Sequence, residues 1–327
     1  MGVIGGGTMG VGIVLCILNA GFEVTLIEVQ RDALDTAIKR IRDTLDKDVD
    51  RRRLSEQERD HRLARLSCSL NLVDLSSADL VIEAVFESLQ LKKNIFLEVS
   101  KIVSQQTIIA TNTSALDINE ISSVCELPER VLGMHFFSPA NIMKLLEVIR
   151  GEKTAKDVIA TAMALGKRIG KVPTLSGVGY GFIGNRMLED YVRESQLLLL
   201  EGATPAQVDG VLEGWGMAMG PCAVMDLAGQ DVSFLTRDQN RHFLPNDPTY
   251  YKPGDLMNEL GRLGQKRGAG FYKYTEGYRR QEDLEAVRLI EAAASELGIE
   301  QRSEIEDEEI YPDIIISTCF RQHVSLA

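Results

Sequence analysis

The chain has 327 residues, enough for two domains, and 44% hydrophobic with 26% charged residues is an ordinary globular balance. A net charge of −12 counts against nucleic acid or an anionic membrane as the main partner. No apolar run reaches the roughly 18 residues of a membrane span, so no membrane insertion is expected. No cleavable signal is visible. The five scattered cysteines (Cys16, Cys68, Cys125, Cys222, Cys319) contain no C-x-x-C pair and read as reduced thiols. No His/Cys/Asp cluster has metal-ligand spacing, so no metal is expected.

Gly2-Val3-Ile4 is a short apolar strand running into Gly5-Gly6-Gly7-Thr8-Met9-Gly10. That stretch fits G-x-G-x-x-G with Gly5, Gly7 and Gly10 as its glycines. A helical pattern follows (Val11, Val14, Leu15, Leu18) and stops at Ala20-Gly21. Phe22 to Ile27 is the next strand, and Glu28 ends it, eighteen residues after Gly10. Strand, glycine turn, helix, strand and acid are the order of a dinucleotide site. Gly5 makes the bend, Gly7 admits the pyrophosphate, Gly10 lets helix and strand pack, and the helix start with Thr8 and Met9 faces the phosphates. A carboxylate at position 28 accepts hydrogen bonds from ribose hydroxyls and repels a 2′-phosphate, which favours NAD over NADP.

Residues 31–67 are highly charged and helical in pattern, expected as two antiparallel helices with Arg51-Arg52-Arg53 near the tip. Those arginines read either as a solvated face or as a clamp for phosphates. Strands are expected at Leu70–Val73, Leu80–Val85, Thr107–Ala110, Val131–Met134, Leu145–Ile149 and Lys171–Leu175, with helices over 88–103 and 154–168. This alternation predicts an α/β fold with a largely parallel, doubly wound Rossmann-type sheet. Within it, His135 ends one apolar run and Glu147 lies inside the next. Neighbouring strands can bring such a pair together, and a carboxylate beside an imidazole makes a general base. The alternative is a satisfied core histidine and a solvated strand-edge charge. From about 176 the pattern becomes helical (182–201, 204–213, around 222–236, 254–263). The expected division is 1–175 for the dinucleotide-binding domain, 176–274 for a smaller all-helical domain, and 275–327 for a third piece. The last contains an amphipathic pattern over 283–297, then Ile314-Ile315-Ile316 and Phe320.

Several segments in this order resemble the L-3-hydroxyacyl-CoA dehydrogenases of fatty-acid β-oxidation. They are Gly5–Gly10, Glu83-Ala84-Val85 with Glu87, Thr111-Asn112-Thr113-Ser114, His135-Phe136-Phe137-Ser138-Pro139, Lys144 to Val148, Gly181-Phe182-Ile183-Gly184-Asn185-Arg186, Met219-Gly220-Pro221 and Gly270-Phe271-Tyr272. The form His-Phe-Phe-Ser-Pro-Ala, with Ala164-Leu165-Gly166-Lys167 and Gln265-Lys266, is most similar to the dehydrogenase part of multifunctional enzymes that also carry an enoyl-CoA hydratase domain. Leu297 to Arg302 with Glu308-Glu309-Ile310 resembles the opening of those enzymes' second helical domain. The third piece is therefore expected as an incomplete start of that domain, with a fragment, a truncated gene model and a divergent short form all open.

The resemblance implies NAD as cofactor and a 3-hydroxyacyl-CoA as substrate. It implies His135 as base, oriented by Glu147, with Ser114 and Asn185 contacting the reacting substrate between two domains. Glu87, Lys92 and Asn112 fall on the cofactor side. Ser114 also reads as a plain helix N-cap, and Asn185 as a helix-start residue. The resemblance adds a parent protein with a hydratase domain. The apolar third piece is expected either to pack back only partly on the body or to cover its patch by self-association, with a homodimer as one outcome. The expected compartment is cytoplasmic, with peroxisome or mitochondrion for a eukaryotic source, although Ser325-Leu326-Ala327 does not match the S-K-L address. Two other functions stand beside this one: a related hydroxyacid dehydrogenase, and an NAD-binding remnant without turnover.

Overall fold

The computed structural model describes residues 1–327 apart from 240, 242, 243, 303, 311–313 and 315–327. Ile315, Ile316, Phe320, Cys319 and the terminal tripeptide lie outside the described residues. The chain forms two compact units, Met1–Ile183 and the part from Gly184 onward.

The first unit is built on eight strands: β1 (Gly2–Ile4), β2 (Val24–Ile27), β3 (Leu66–Ser69), β4 (Leu80–Glu83), β5 (Ile108–Thr111), β6 (Val131–Phe136), β7 (Leu145–Arg150) and β8 (Val172–Gly177). Their spatial order is 3-2-1-4-5-6-7-8, and every neighbouring pair is parallel except β6–β7. The order reverses between β1 and β4, the switch point where α/β sheets open a ligand crevice. Helices α1 (Thr8–Asn19) and α2 (Arg31–Asp50) pack on one face, joined at its far end by α6 (Lys156–Arg168). The other face is covered by α4 (Leu89–Ile102) and α5 (Ile118–Ser122). Burial on both faces explains why the strands read as unbroken apolar runs. It also explains α1, whose residues from Gly10 to Leu18 are all buried.

The charged excursion contains α2 and a short α3 (Glu56–Leu63). Ser55 starts α3 with a capping box: its Oγ accepts from the Glu58 amide, and the Glu58 carboxylate accepts from the Ser55 amide. The strand expected at Leu70–Val73 lies earlier, at Leu66–Ser69, and Leu72–Leu75 is a single 3-10 turn. Asn71 causes the difference, because its side-chain oxygen accepts from the Val73 amide at 3.1 Å and curls the backbone. Strand β6 runs past Met134 through His135 and Phe136, held by the pairing of Phe136 with Leu146.

Strand alternation decides what the site can contain. Along β4, Leu80 and Ile82 enter the layer beneath α1, whereas Val81 enters the layer beneath α4. Glu83 has the parity of Val81 and so faces α4. By the same rule Thr111 shares the parity of Ile109, His135 that of Val131, and Glu147 that of Ile149. Four adjacent strands thus present Glu83, Thr111, His135 and Glu147 on one face.

The second unit contains α7 (Gly184–Glu201), α8 (Pro205–Trp215), α9 (Pro221–Ala228), α10 (Gln230–Gln239), α11 (Lys252–Glu259) and α12 (Leu284–Glu296). The helix expected around 222–236 is broken at Gly229. A hairpin, β9 (Lys273–Thr275) with β10 (Arg279–Gln281), was not legible in the pattern. The buried Asp226 ties this unit together by accepting from the amides of Phe271 and Tyr272, both at 3.0 Å, and from Gln230 Nε2 at 2.9 Å. Ala286, Ile290 and Ala294 of α12, with Ile305, Ile310 and Ile314, share the core of Leu198 to Leu200.

Candidate active site

The glycine turn follows directly from β1. Gly5 adopts φ +99°, a conformation open to glycine, and donates its amide to the Ile27 carbonyl at 2.9 Å. A Cβ at Gly10 would collide with the Gly5 carbonyl oxygen, so this glycine sets how closely α1 approaches β1. A Cβ at Gly7 would meet nothing within 4 Å, which leaves the outer side of the turn open. The start of α1, with Thr8 and Met9, has no capping side chain and no acid in its first turn. Glu28 lies beside it, with Oε1 accepting from the Gly6 amide at 2.5 Å and Oε2 from the Val29 amide at 3.1 Å. Open space, an uncapped helix start and an adjacent carboxylate fit a dinucleotide with its pyrophosphate at the helix and its ribose at Glu28.

His135 and Glu147 are directly opposed across the antiparallel β6–β7 pair. Residues so opposed share a face and lie close enough to interact. His135 Nδ1 is 2.7 Å from Glu147 Oε2, and the two side chains are 7% and 0% exposed. An ionised carboxylate only accepts hydrogen bonds, so Nδ1 carries a proton, and in the neutral imidazole Nε2 then keeps the lone pair. Glu147 Oε1 accepts from the Ile183 amide at 2.9 Å. Phe137 and Phe182 flank the imidazole, with ring centroids at 4.4 and 5.9 Å. Asn112 Oδ1 accepts from the Phe136 amide at 2.9 Å, fixing the strand end that carries His135. The following loop is anchored by Lys171, whose Nζ donates to the carbonyls of Ala140 and Met143. Cys16 also donates to the Ala140 carbonyl, and burial pushes its thiol up, so it is poorly suited as a nucleophile.

A second polar cluster gathers Glu83, Glu87, Lys92, Thr111, Thr113 and Ser114. Lys92 Nζ donates to Glu83 Oε1 at 2.7 Å and lies 3.3 Å from Glu87 Oε2. Glu87 Oε1 accepts from the Ser114 amide at 2.8 Å, from Ser114 Oγ at 3.2 Å and from Thr113 Oγ1 at 2.5 Å. Of the residues expected in the site, the structure thus joins His135 to Glu147, and Glu87 to Lys92 and Ser114. Asn185 lies in the first turn of α7, in the second unit. The contacts of Glu83, the Ile183 amide and the two phenylalanines have no counterpart in the sequence pattern. The acids at 83 and 87, followed by a lysine five residues on, were the available signal for the cluster.

A doubly wound domain with an open glycine turn and a histidine–carboxylate pair across two strand ends has the build of a dinucleotide-dependent dehydrogenase. Comparison with known proteins makes the class specific. Residues 1–177 match the NAD binding domain of 3-hydroxyacyl-CoA dehydrogenase, and residues 181–274 match its C-terminal domain. The chain belongs to the 3-hydroxyacyl-CoA dehydrogenase family. It is 42% identical to the peroxisomal bifunctional enzyme of Danio rerio over 94% of its own length and 44% of that protein's length. Among solved structures it resembles 3-hydroxybutyryl-CoA dehydrogenase from Escherichia coli, with 36% identity and TM-score 0.79, covering 83% of this chain and 58% of that one. It also resembles the dehydrogenase part of multifunctional enzyme 1 from C. elegans, with 32% identity and TM-score 0.72, covering 99% of this chain and 74% of that one. The chain spans less than half the length of the curated relatives it matches. Among the described residues, no helix is long and apolar enough to cross a membrane.

Proposed function

We propose that the protein oxidises (S)-3-hydroxyacyl-CoA to 3-oxoacyl-CoA with NAD. The observation that carries this reading is the buried His135–Glu147 pair at the end of β6. Gly5, Gly7, Thr8, Met9 and Gly10 would hold the pyrophosphate and Glu28 the ribose, with Glu87, Lys92 and Asn112 toward the nicotinamide end. Bound there, NAD supplies the acceptor for the hydride that leaves C3. His135 Nε2 takes the proton of the 3-hydroxyl, and the C–O bond becomes a carbonyl. Glu147 holds the imidazole in the tautomer that leaves Nε2 basic and balances the imidazolium that forms. In the reverse direction the imidazolium returns the proton. Asn185 donates to the developing oxygen or the thioester carbonyl, and Ser114 does so once its hydroxyl turns from Glu87 to the substrate. The compartment proposed is the cytoplasm, or the peroxisome or mitochondrion for a eukaryotic source, as relatives named peroxisomal and glyoxysomal suggest.

The test is side-by-side turnover of acetoacetyl-CoA and free acetoacetate, each with NADH and NADPH. Turnover of the thioester with NADH is expected. Preference for the free acid would move the protein to the related hydroxyacid dehydrogenases. NADH binding with no turnover of either would leave a non-catalytic remnant.

A further inference from the structure

Glu83 and Lys92 form an ion pair in the core, their side chains 0% and 1% exposed. A buried pair is weak grounds for stability, because desolvating two charges offsets their attraction. Apolar side chains at both positions would extend the layer of Phe96 and Val99 beneath α4. The pair's contribution lies in geometry. Glu83 is fully committed: Oε1 accepts from the Val85 amide and Lys92 Nζ, both at 2.7 Å, and Oε2 accepts from Thr111 Oγ1 at 2.7 Å. Thr111 is its register partner on β5. The ammonium of Lys92 is therefore fixed between Glu83 and Glu87, and Glu87 is the group that holds Ser114 through both amide and hydroxyl. Without the charge at position 83, Glu87 is the remaining carboxylate paired with Lys92. A buried cation left with one partner draws that partner toward it and away from weaker neutral donors.

We propose that Glu83 is a positioning residue: its carboxylate fixes Lys92 as a bridge, so that Glu87 holds the Ser114 backbone through its amide and keeps the hydroxyl within a turn of the reacting oxygen. The role of Ser114 in this statement rests on the function proposed above.

The experiment compares Glu83→Gln and Thr111→Val, each in the unmodified and the Ser114→Ala background. The readouts are kcat and KM for acetoacetyl-CoA with NADH, the melting temperature, and amide hydrogen exchange at Ser114 in the free protein. Glu83→Gln is expected to lower kcat about tenfold and Thr111→Val about threefold, both shrinking to within about twofold when Ser114 is already alanine. Exchange at the Ser114 amide should accelerate roughly tenfold or more in Glu83→Gln. Equal losses in both backgrounds, or unchanged exchange at Ser114, would overturn the proposal. If Glu83→Gln does not fold, Glu83→Asp, which keeps the charge but shortens its reach to Lys92, decides by the same two criteria, because Thr111→Val also frees the Thr113 amide. If the unmodified protein turns nothing over, the functional reading fails, while the exchange measurement still decides whether Glu83 positions Ser114.

Discussion

Glu147→Gln perturbs the site with the smallest change of shape. The carboxylate is fully buried and serves at least two donors, His135 Nδ1 at 2.7 Å and the Ile183 amide at 2.9 Å. Glutamine fits the space but offers one acceptor oxygen and brings an NH₂ group that repels the donor it faces. A hydrogen bond to a charged group is worth about 1.5–3 kcal/mol. At roughly 1.4 kcal/mol per tenfold, loss of that term where the imidazolium forms slows chemistry about 10- to 150-fold. Full Coulomb attraction between unit charges 4 Å apart, about 4 kcal/mol at an effective dielectric of 20, caps the effect near 10³-fold. Single-turnover oxidation of (S)-3-hydroxybutyryl-CoA by NAD, followed by NADH absorbance, reads the step in which the imidazolium forms. NADH fluorescence titration should give an affinity within about twofold of the unmodified protein, since Glu147 is assigned to the base and not to the cofactor. A single-turnover rate within twofold of the unmodified protein would refute the assignment of Glu147 as the group that supports the base.

Other substitutions probe the frame around the site. Glu28→Ala should weaken NAD about tenfold and narrow its advantage over NADP, since the ribose acceptor and the anion that repels a 2′-phosphate are both lost; equal affinities of the unmodified protein for the two cofactors would contradict this. Gly10→Ala forces a Cβ against the Gly5 carbonyl. Overpacking of about 1–3 kcal/mol should lower the melting temperature by roughly 2–10 °C and weaken NAD together with it. The Cys125 thiol is held up at about 11 by burial, against an ordinary value of 9.0. A raised folded-state value means stability that is fully present below about pH 9 and lost as pH rises through about 11. The stability difference between the unmodified protein and Cys125→Ala, read from urea midpoints, should therefore shrink between about pH 8 and pH 10.5; a constant difference would show that the thiol does not contribute to the alkaline loss.

The glycine turn, Glu28 and the alternation of strands with helices were legible because they are local: spacing, apolar runs and helix ends carry them. Contacts between distant segments were not. That His135 and Glu147 meet depends on β7 running antiparallel to β6 in a sheet whose other neighbouring pairs are parallel, and residue spacing does not fix that direction. The Leu72–Leu75 turn was lost to an apolar run that Asn71 reshapes by one hydrogen bond. Glu83 was visible as part of a family segment, yet its partners lie nine residues away at Lys92 and 28 residues away at Thr111. Strand register brings Glu83 to Thr111, and the packing of α4 on that face brings Lys92. The hairpin of β9 and β10 escaped notice because its strands are three residues each and largely exposed, leaving no apolar alternation to read.

His135 is the proposed base. The most direct measurement is acetoacetyl-CoA reduction by NADH with the unmodified protein and with His135→Gln, alongside NADH affinity for each. Turnover by the unmodified protein is expected, with a loss of about 10²–10⁴ in His135→Gln and NADH affinity within about threefold. Near-full activity in His135→Gln would contradict that assignment.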